Sequence, residues 1–261
     1  MLDLSHPLTP AKEGELFFVE RAHDDVAHPF DPKGSRGCKG ERRGRSPLPE
    51  IWIELAAKLP IQSPIVIVGT DTDVGKTWVT GHLAHALYET GVPVITQKWV
   101  QTGPAPTDID THDRLSGVVF PAALLTDRLP YYFPDPVSPH LAASRQGQCV
   151  DIGACLAATA RLQAAGYRVL IEGSGGLMVP YTETVMLLDM VADAGFSVLL
   201  VSENRVGVIN QVMLSVMALR QRGISLLGIV LSQKNLAHDA AVMADNVRMV
   251  ANGSGVRVWS V

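Results

Sequence analysis

Two lysines and two acidic residues, far apart along the chain, have the types and settings for phosphate chemistry. The first setting is Gly69-Thr70-Asp71-Thr72-Asp73-Val74-Gly75-Lys76-Thr77, directly after the apolar run Pro64-Ile65-Val66-Ile67-Val68. A β-branched run, a glycine-bounded loop and Gly-Lys-Thr read as strand, loop and helix start. Backbone N–H groups of such a loop point at an anion, and the helix dipole favours negative charge there. The loop residues Asp73, Val74 and Gly75 would wrap a nucleotide's phosphates. Lys76 would set a cation near the β- and γ-phosphates, and Thr77 would offer its hydroxyl to Mg²⁺. Five residues separate Gly69 from Gly75, one more than in the common form of this loop.

Three further stretches carry polar groups at expected strand or helix ends. Gln97-Lys98-Trp99-Val100-Gln101-Thr102-Gly103 places Lys98 where a second cation can meet transferring phosphate or a carboxylate-like group. Thr107-Asp108-Ile109-Asp110-Thr111-His112-Asp113 opens a helix with acidic residues, some of which suit helix capping. One carboxylate here, Asp108, is a candidate to hold Mg²⁺ directly or through water. His112 is expected at the surface. Val169-Leu170-Ile171-Glu172-Gly173 ends an apolar strand on a carboxylate, the place for a second Mg²⁺-facing acid. A buried glutamate without a partner is costly, which favours a site role for Glu172.

The elements that must position these groups follow from apolar patterning. Strands are expected over 64–69, 92–98, 167–173, 196–202 and 224–232, and helices over 76–90, 109–117, 151–165, 185–194, 207–222 and 238–250. Near-continuous apolar strands such as Phe196-Ser197-Val198-Leu199-Leu200-Val201 indicate a sheet covered on both faces. The expected fold is α/β, a mostly parallel sheet flanked by helices with ligands at the carboxyl ends of strands. Residues 64–261 read as one such domain. Residues 1–63 read as a poorly ordered extension with a basic stretch from Lys33 to Arg45, except that 51–57 can make a short amphipathic helix against the body.

Bulk properties narrow the function classes. A hydrophobic share of 47% and a charged share of 18% suit a globular enzyme. A net charge of -4 gives no support for a nucleic-acid or membrane partner. Cys38, Cys149 and Cys155 have no paired or metal-ligand spacing. With no apolar segment behind a basic start, this leads to the expectation of a reducing, cytoplasmic setting.

Five blocks in order make the chain similar to the dethiobiotin synthetase family: Gly69–Thr77, Lys98–Gly103, Ser138-Pro139-His140-Leu141-Ala142-Ala143, Glu172–Pro180 and Arg205–Ser215. The resemblance implies a P-loop NTPase fold and an ATP- and Mg²⁺-dependent carboligase of biotin synthesis. It would act on 7,8-diaminopelargonate and CO₂ and release ADP and phosphate. By matching position, Lys76 and Lys98 would stabilise the phosphates and the carbamate. Thr77, Asp108 and Glu172 would surround Mg²⁺. Thr72 and Thr102 would hydrogen-bond the carbamate or substrate amines. The resemblance also implies a homodimer with substrate near the subunit interface.

Two positions depart from the family pattern. Trp99 stands where the family usually has proline, and Ser232 where many relatives have an adenine-reading asparagine. A serine offers only a hydroxyl, so weak discrimination between nucleobases is expected. The alternatives are another P-loop ligase or kinase acting on a small amine or acid, and a partitioning-type scaffold ATPase. The latter class carries a lysine five residues before the loop's lysine, where this chain has Asp71.

Overall fold

The computed structural model describes residues 48–60, 64–233 and 239–261. The basic stretch 33–45 and Cys38 lie outside the described residues. In chain order the elements are α1 (Glu50–Lys58), β1 (Ile65–Gly69), α2 (Lys76–Glu89), β2 (Val94–Lys98), β3 (Val100–Thr102) and α3 (Asp108–Ser116). Then come α4 (Leu125–Arg128), β4 (Tyr131–Phe133), α5 (Pro139–Arg145), α6 (Ile152–Ala164) and β5 (Arg168–Gly176). The chain continues through α7 (Leu187–Ala194), β6 (Ser197–Glu203), α8 (Val208–Gln221), β7 (Leu226–Ser232), α9 (Ala240–Ser254) and β8 (Val258–Ser260).

Six strands form one parallel sheet in the order β2-β5-β1-β6-β7-β8. The expected mostly parallel sheet between helices is therefore present. Connections from β1 run first to one side, to β2 and β5, and then to the other, to β6. Order reversal of this kind opens a crevice at the carboxyl ends of the strands.

Side chains alternate across β1, and both sets are buried. Val66 and Val68 pack with Leu162 of α6 and Leu187 of α7, whereas Ile65 and Ile67 pack with Trp52 and Leu55 of α1 and Leu83 of α2. Strands with two covered faces lose the polar alternation of a half-exposed sheet, which is why their sequences read as continuous apolar runs. Helix α1 makes the short amphipathic element expected at 51–57. Its Trp52 ring meets those of Trp78 and His82 at centroid distances of 5.1 and 5.3 Å. The packed body thus extends upstream of residue 64.

Elements without strong periodicity were not legible in advance. Strands β3 and β4 form a two-stranded parallel pair outside the main sheet. Between β2 and β3, Trp99 is fully buried, and its indole N–H donates to Thr159 Oγ1 at 2.9 Å. Trp99 therefore fills the space beneath α6 while Lys98 keeps its place at the strand end. Strand β5 runs to Gly176, three residues past the expected end at 173.

Candidate functional site

The carboxyl-terminal sides of β1, β2, β3, β5 and β7 and the starts of α2 and α3 converge on one cavity of about 980 Å³. Its wall includes Thr72, Lys76, Thr77, Lys98, Asp108 and Glu172.

The loop after β1 is shaped by two glycines. Gly75 has φ 99°, a conformation that side chains rarely adopt, and it is the residue from which α2 starts. A Cβ on Gly69 would lie 2.6 Å from the Asp71 carbonyl oxygen and 2.9 Å from Lys76 Nζ. Only glycine lets the loop fold back this closely. Lys76 then reaches over its own loop and donates to the Asp71 carbonyl at 2.9 Å. Burial, reinforced by the nearby Lys98 cation, lowers the Lys76 ammonium pKa to about 8. An ammonium held this way gains from an incoming anion, because phosphate oxygens replace a weaker carbonyl contact.

Lys98 and Glu172 are register partners across the β2–β5 pair. Lys98 Nζ lies 3.0 Å from Glu172 Oε1 and 2.7 Å from Asp108 Oδ2, and it also donates to the Gly173 carbonyl at 3.3 Å. Both Lys98 and Glu172 are nearly fully buried. Burial alone would push Lys98 down, but the Glu172 and Asp108 carboxylates outweigh it and hold the ammonium above its ordinary value. Burial alone would likewise push Glu172 up. Lys98 and the hydrogen bond from His112 overcome that and hold the carboxyl well below its ordinary range.

Thr77 joins the two carboxylates. Its hydroxyl Oγ1 lies 3.2 Å from Asp108 Oδ1 and 3.0 Å from Glu172 Oε1. Oxygen ligands at cis positions of an octahedral Mg²⁺ sit about 3 Å apart, given metal–oxygen distances of roughly 2.0–2.1 Å. Thr77 Oγ1 lies at that spacing from one oxygen of each carboxylate, so Thr77, Asp108 and Glu172 are placed where they would hold Mg²⁺. Among the described residues no three His, Cys, Asp or Glu side chains gather as a metal cage. A sparse hard-oxygen set suits Mg²⁺ that keeps water and phosphate ligands.

Helix α3 positions Asp108. Thr107 and Asp110 form a capping box, with Thr107 Oγ1 accepting from the Asp110 N–H and Asp110 Oδ2 accepting from the Thr107 N–H. Asp108 N–H donates to Gln101 Oε1 at 3.0 Å, which ties the helix to β3. Capping thus accounts for Asp110 but not for Asp113, which pairs with the buried Arg128.

His112 corrects an expectation. It is buried rather than exposed, and its Nε2 lies 2.7 Å from Glu172 Oε2. The reason is helical periodicity: four residues after Asp108, it falls on the same inward face. The remaining expected residues line the same cavity from other sides. Thr72 is exposed in the loop and Thr102 is half-buried at the end of β3. Ser232 donates its hydroxyl to the Val74 carbonyl at 2.7 Å, which braces the loop from β7. Gln101, Arg128 and His112 were missed as supporting groups. Spacing from Asp108 was the available signal for His112, and none marked Arg128.

Residues 63–260 match a family model described as an AAA domain. The chain is 44% identical over 169 residues to the ATP-dependent dethiobiotin synthetase BioD of Chlorobaculum tepidum, covering 64% of this chain and 71% of that protein. The chain belongs to the dethiobiotin synthetase family. Dethiobiotin synthetase BioD 2 of Haemophilus influenzae is 41% identical, over 64% of this chain and 88% of that one. The dethiobiotin synthetase of Anaeromyxobacter sp. is 39% identical, over 68% and 80%. Among the described residues no helix is long and apolar enough to cross a membrane.

Proposed function

We propose that the chain is an ATP- and Mg²⁺-dependent dethiobiotin synthase, joining CO₂ to 7,8-diaminopelargonate and closing the ureido ring with release of ADP and phosphate. The observation that carries this reading is the meeting of Lys76, Lys98, Thr77, Asp108 and Glu172 in one cavity. The names of the relatives support ATP as the nucleotide and dethiobiotin as the product.

One substrate amine adds to CO₂ and loses a proton, giving a carbamate. A carbamate oxygen then attacks the γ-phosphorus as the bond to ADP breaks. The second amine attacks the carbonyl carbon of that mixed anhydride and loses a proton, and phosphate leaves with the C–O bond pair. No side chain needs to act as nucleophile, so the protein's work is placement and charge stabilisation. Loop N–H groups from Asp73 to Gly75, together with Lys76, hold the phosphates. Lys98, fixed between two carboxylates, faces the carbamate and the transferring phosphoryl group. Thr72 and Thr102 present hydroxyls to the carbamate or the amines. Thr77, Asp108 and Glu172 would hold Mg²⁺, which would neutralise phosphate charge when bound.

A homodimer belongs to the same proposal. Leu214 and Met217, three residues apart on α8, are exposed together with Val206 just before the helix. An apolar stripe of this kind suits a second copy of the chain. Light scattering should then give twice the 28.0 kDa of one chain. For the reaction itself, incubation with carbon-13 bicarbonate, ATP, Mg²⁺ and diaminopelargonate should place the label in the product's ureido carbonyl. Unlabelled or absent product would remove the carboligase reading.

A further inference from the structure

Resting on the assignment of Thr77, Asp108 and Glu172 to Mg²⁺, we propose that His112 is a positioning residue that fixes the rotation of the Glu172 carboxylate. The two oxygens of Glu172 have divided contacts. Oε1 accepts from Thr77 Oγ1 and Lys98 Nζ, both at 3.0 Å, and Oε2 accepts from His112 Nε2 at 2.7 Å. A carboxylate held on one oxygen alone turns about its terminal bond, a broad torsion with weak intrinsic preference. The bond at Oε2 removes that freedom and keeps Oε1 on the side of Thr77 and Lys98.

His112 is fully buried, and among the described residues its Nδ1 has no hydrogen-bond partner. An apolar side chain would fill this space without leaving a nitrogen unsatisfied. The polar contact that accounts for an imidazole here is the one to Glu172. Helix α3 is also well braced for this task. The Thr107–Asp110 capping box holds its start, Gln101 holds the Asp108 N–H, and Arg128 holds Asp113. One helix turn thus carries Asp108 to Thr77 and Lys98 and carries His112 to Glu172, which fixes the two carboxylates relative to each other. Groups behind a metal ligand commonly change metal affinity or activity by about 10–100-fold when removed.

The test is ATP binding by calorimetry, with Mg²⁺ and with EDTA, in the full-length chain without the second substrate. The unmodified protein should bind ATP more tightly with Mg²⁺; no gain from Mg²⁺ would overturn the metal assignment itself, a separate failure from that of His112. His112→Leu should lose about tenfold or more of the Mg²⁺-dependent gain while its affinity in EDTA stays within about twofold. His112→Gln, whose amide N–H can reach Oε2, should restore the gain to within about threefold. If His112→Leu does not fold, His112→Asn replaces it, because its shorter amide stops short of Glu172. An unchanged ratio of the two affinities in a folded Leu or Asn variant would overturn the proposal. Nitrogen-15 NMR of the unmodified protein gives a readout without any variant: the His112 Nε2 should carry a slowly exchanging proton whose shift moves on adding MgATP. An Nε2 without a proton would equally overturn it.

Discussion

Lys98 and Glu172 face each other across β2 and β5, with 3.0 Å between Nζ and Oε1 and almost no solvent at either group. Parallel pairing brings together two residues that are 74 positions apart in sequence. A pair at this depth is costly to break, because removal of one partner leaves the other charge buried and uncompensated.

Replacing Lys98 by Met should therefore destabilise the fold by about 3–5 kcal/mol as well as abolish turnover. The pair also sets a pH window. Glu172 is held below its ordinary 4.5, so its stabilisation is present above that value and is lost as pH falls toward its folded value. Lys98 is held above 10.5, so its share is present below that value and is lost as pH rises through its folded value. Denaturant midpoints should drop below about pH 4.5 in the unmodified protein. In the Met variant the acid-side drop should be shallower, and an equal drop would show that the pair is not its source.

Lys76 makes a different pH prediction. With its pKa lowered to about 8 by burial and by Lys98, the free protein loses this charge above pH 8. Bound phosphate favours the ammonium, so ATP binding above pH 8 must take up a proton. Affinity should fall by up to about tenfold per pH unit above 8, and calorimetry in two buffers of different ionisation enthalpy should detect the uptake. Lys76→Ala should lower turnover by about 10²–10³, or roughly 3–4 kcal/mol, and should flatten this pH dependence.

Arg128 anchors the far end of α3. It donates to the Thr96 carbonyl and hydroxyl at 3.1 Å each, pairs with Asp113, and lies 4.3 Å over the Phe120 ring. Arg128→Met should cost about 2–3 kcal/mol, less than loss of Lys98 because Asp113 is partly solvated. Turnover should fall by about 10–100-fold as Asp108 and His112 lose their fixed placement. Full activity at reduced stability would confine Arg128 to a structural role.

Ser232 bears on the nucleobase. Its hydroxyl proton is committed to the Val74 carbonyl, 2.7 Å away, so it has none to donate to a base. ATP and CTP should support rates within a fewfold of each other in a nucleotide panel. A large preference for ATP would place base recognition elsewhere.

Much of this site was legible because its parts obey short-range rules. The loop before Lys76 announces itself through glycines and a β-branched strand, and Glu172 through its position at the end of an apolar run. The same local rules placed the main strands and the long helices. What escaped depends on contacts remote in sequence. Nothing local to Arg128 shows that it reaches Thr96 and Asp113, and the three-residue strands β3 and β4 are too short to show a period. His112 escaped for another reason: an imidazole among acidic neighbours reads as solvated until the inward face of α3 is known. Trp99 similarly reads as an irregularity in a loop, yet its burial beneath α6 makes it part of the core.

The most direct test of the central claim is phosphate release from ATP and Mg²⁺ in the presence of bicarbonate, with and without 7,8-diaminopelargonate. The account predicts release that depends on diaminopelargonate, with dethiobiotin formed in equal amount. Phosphate release indifferent to diaminopelargonate, or none with it, would contradict the account.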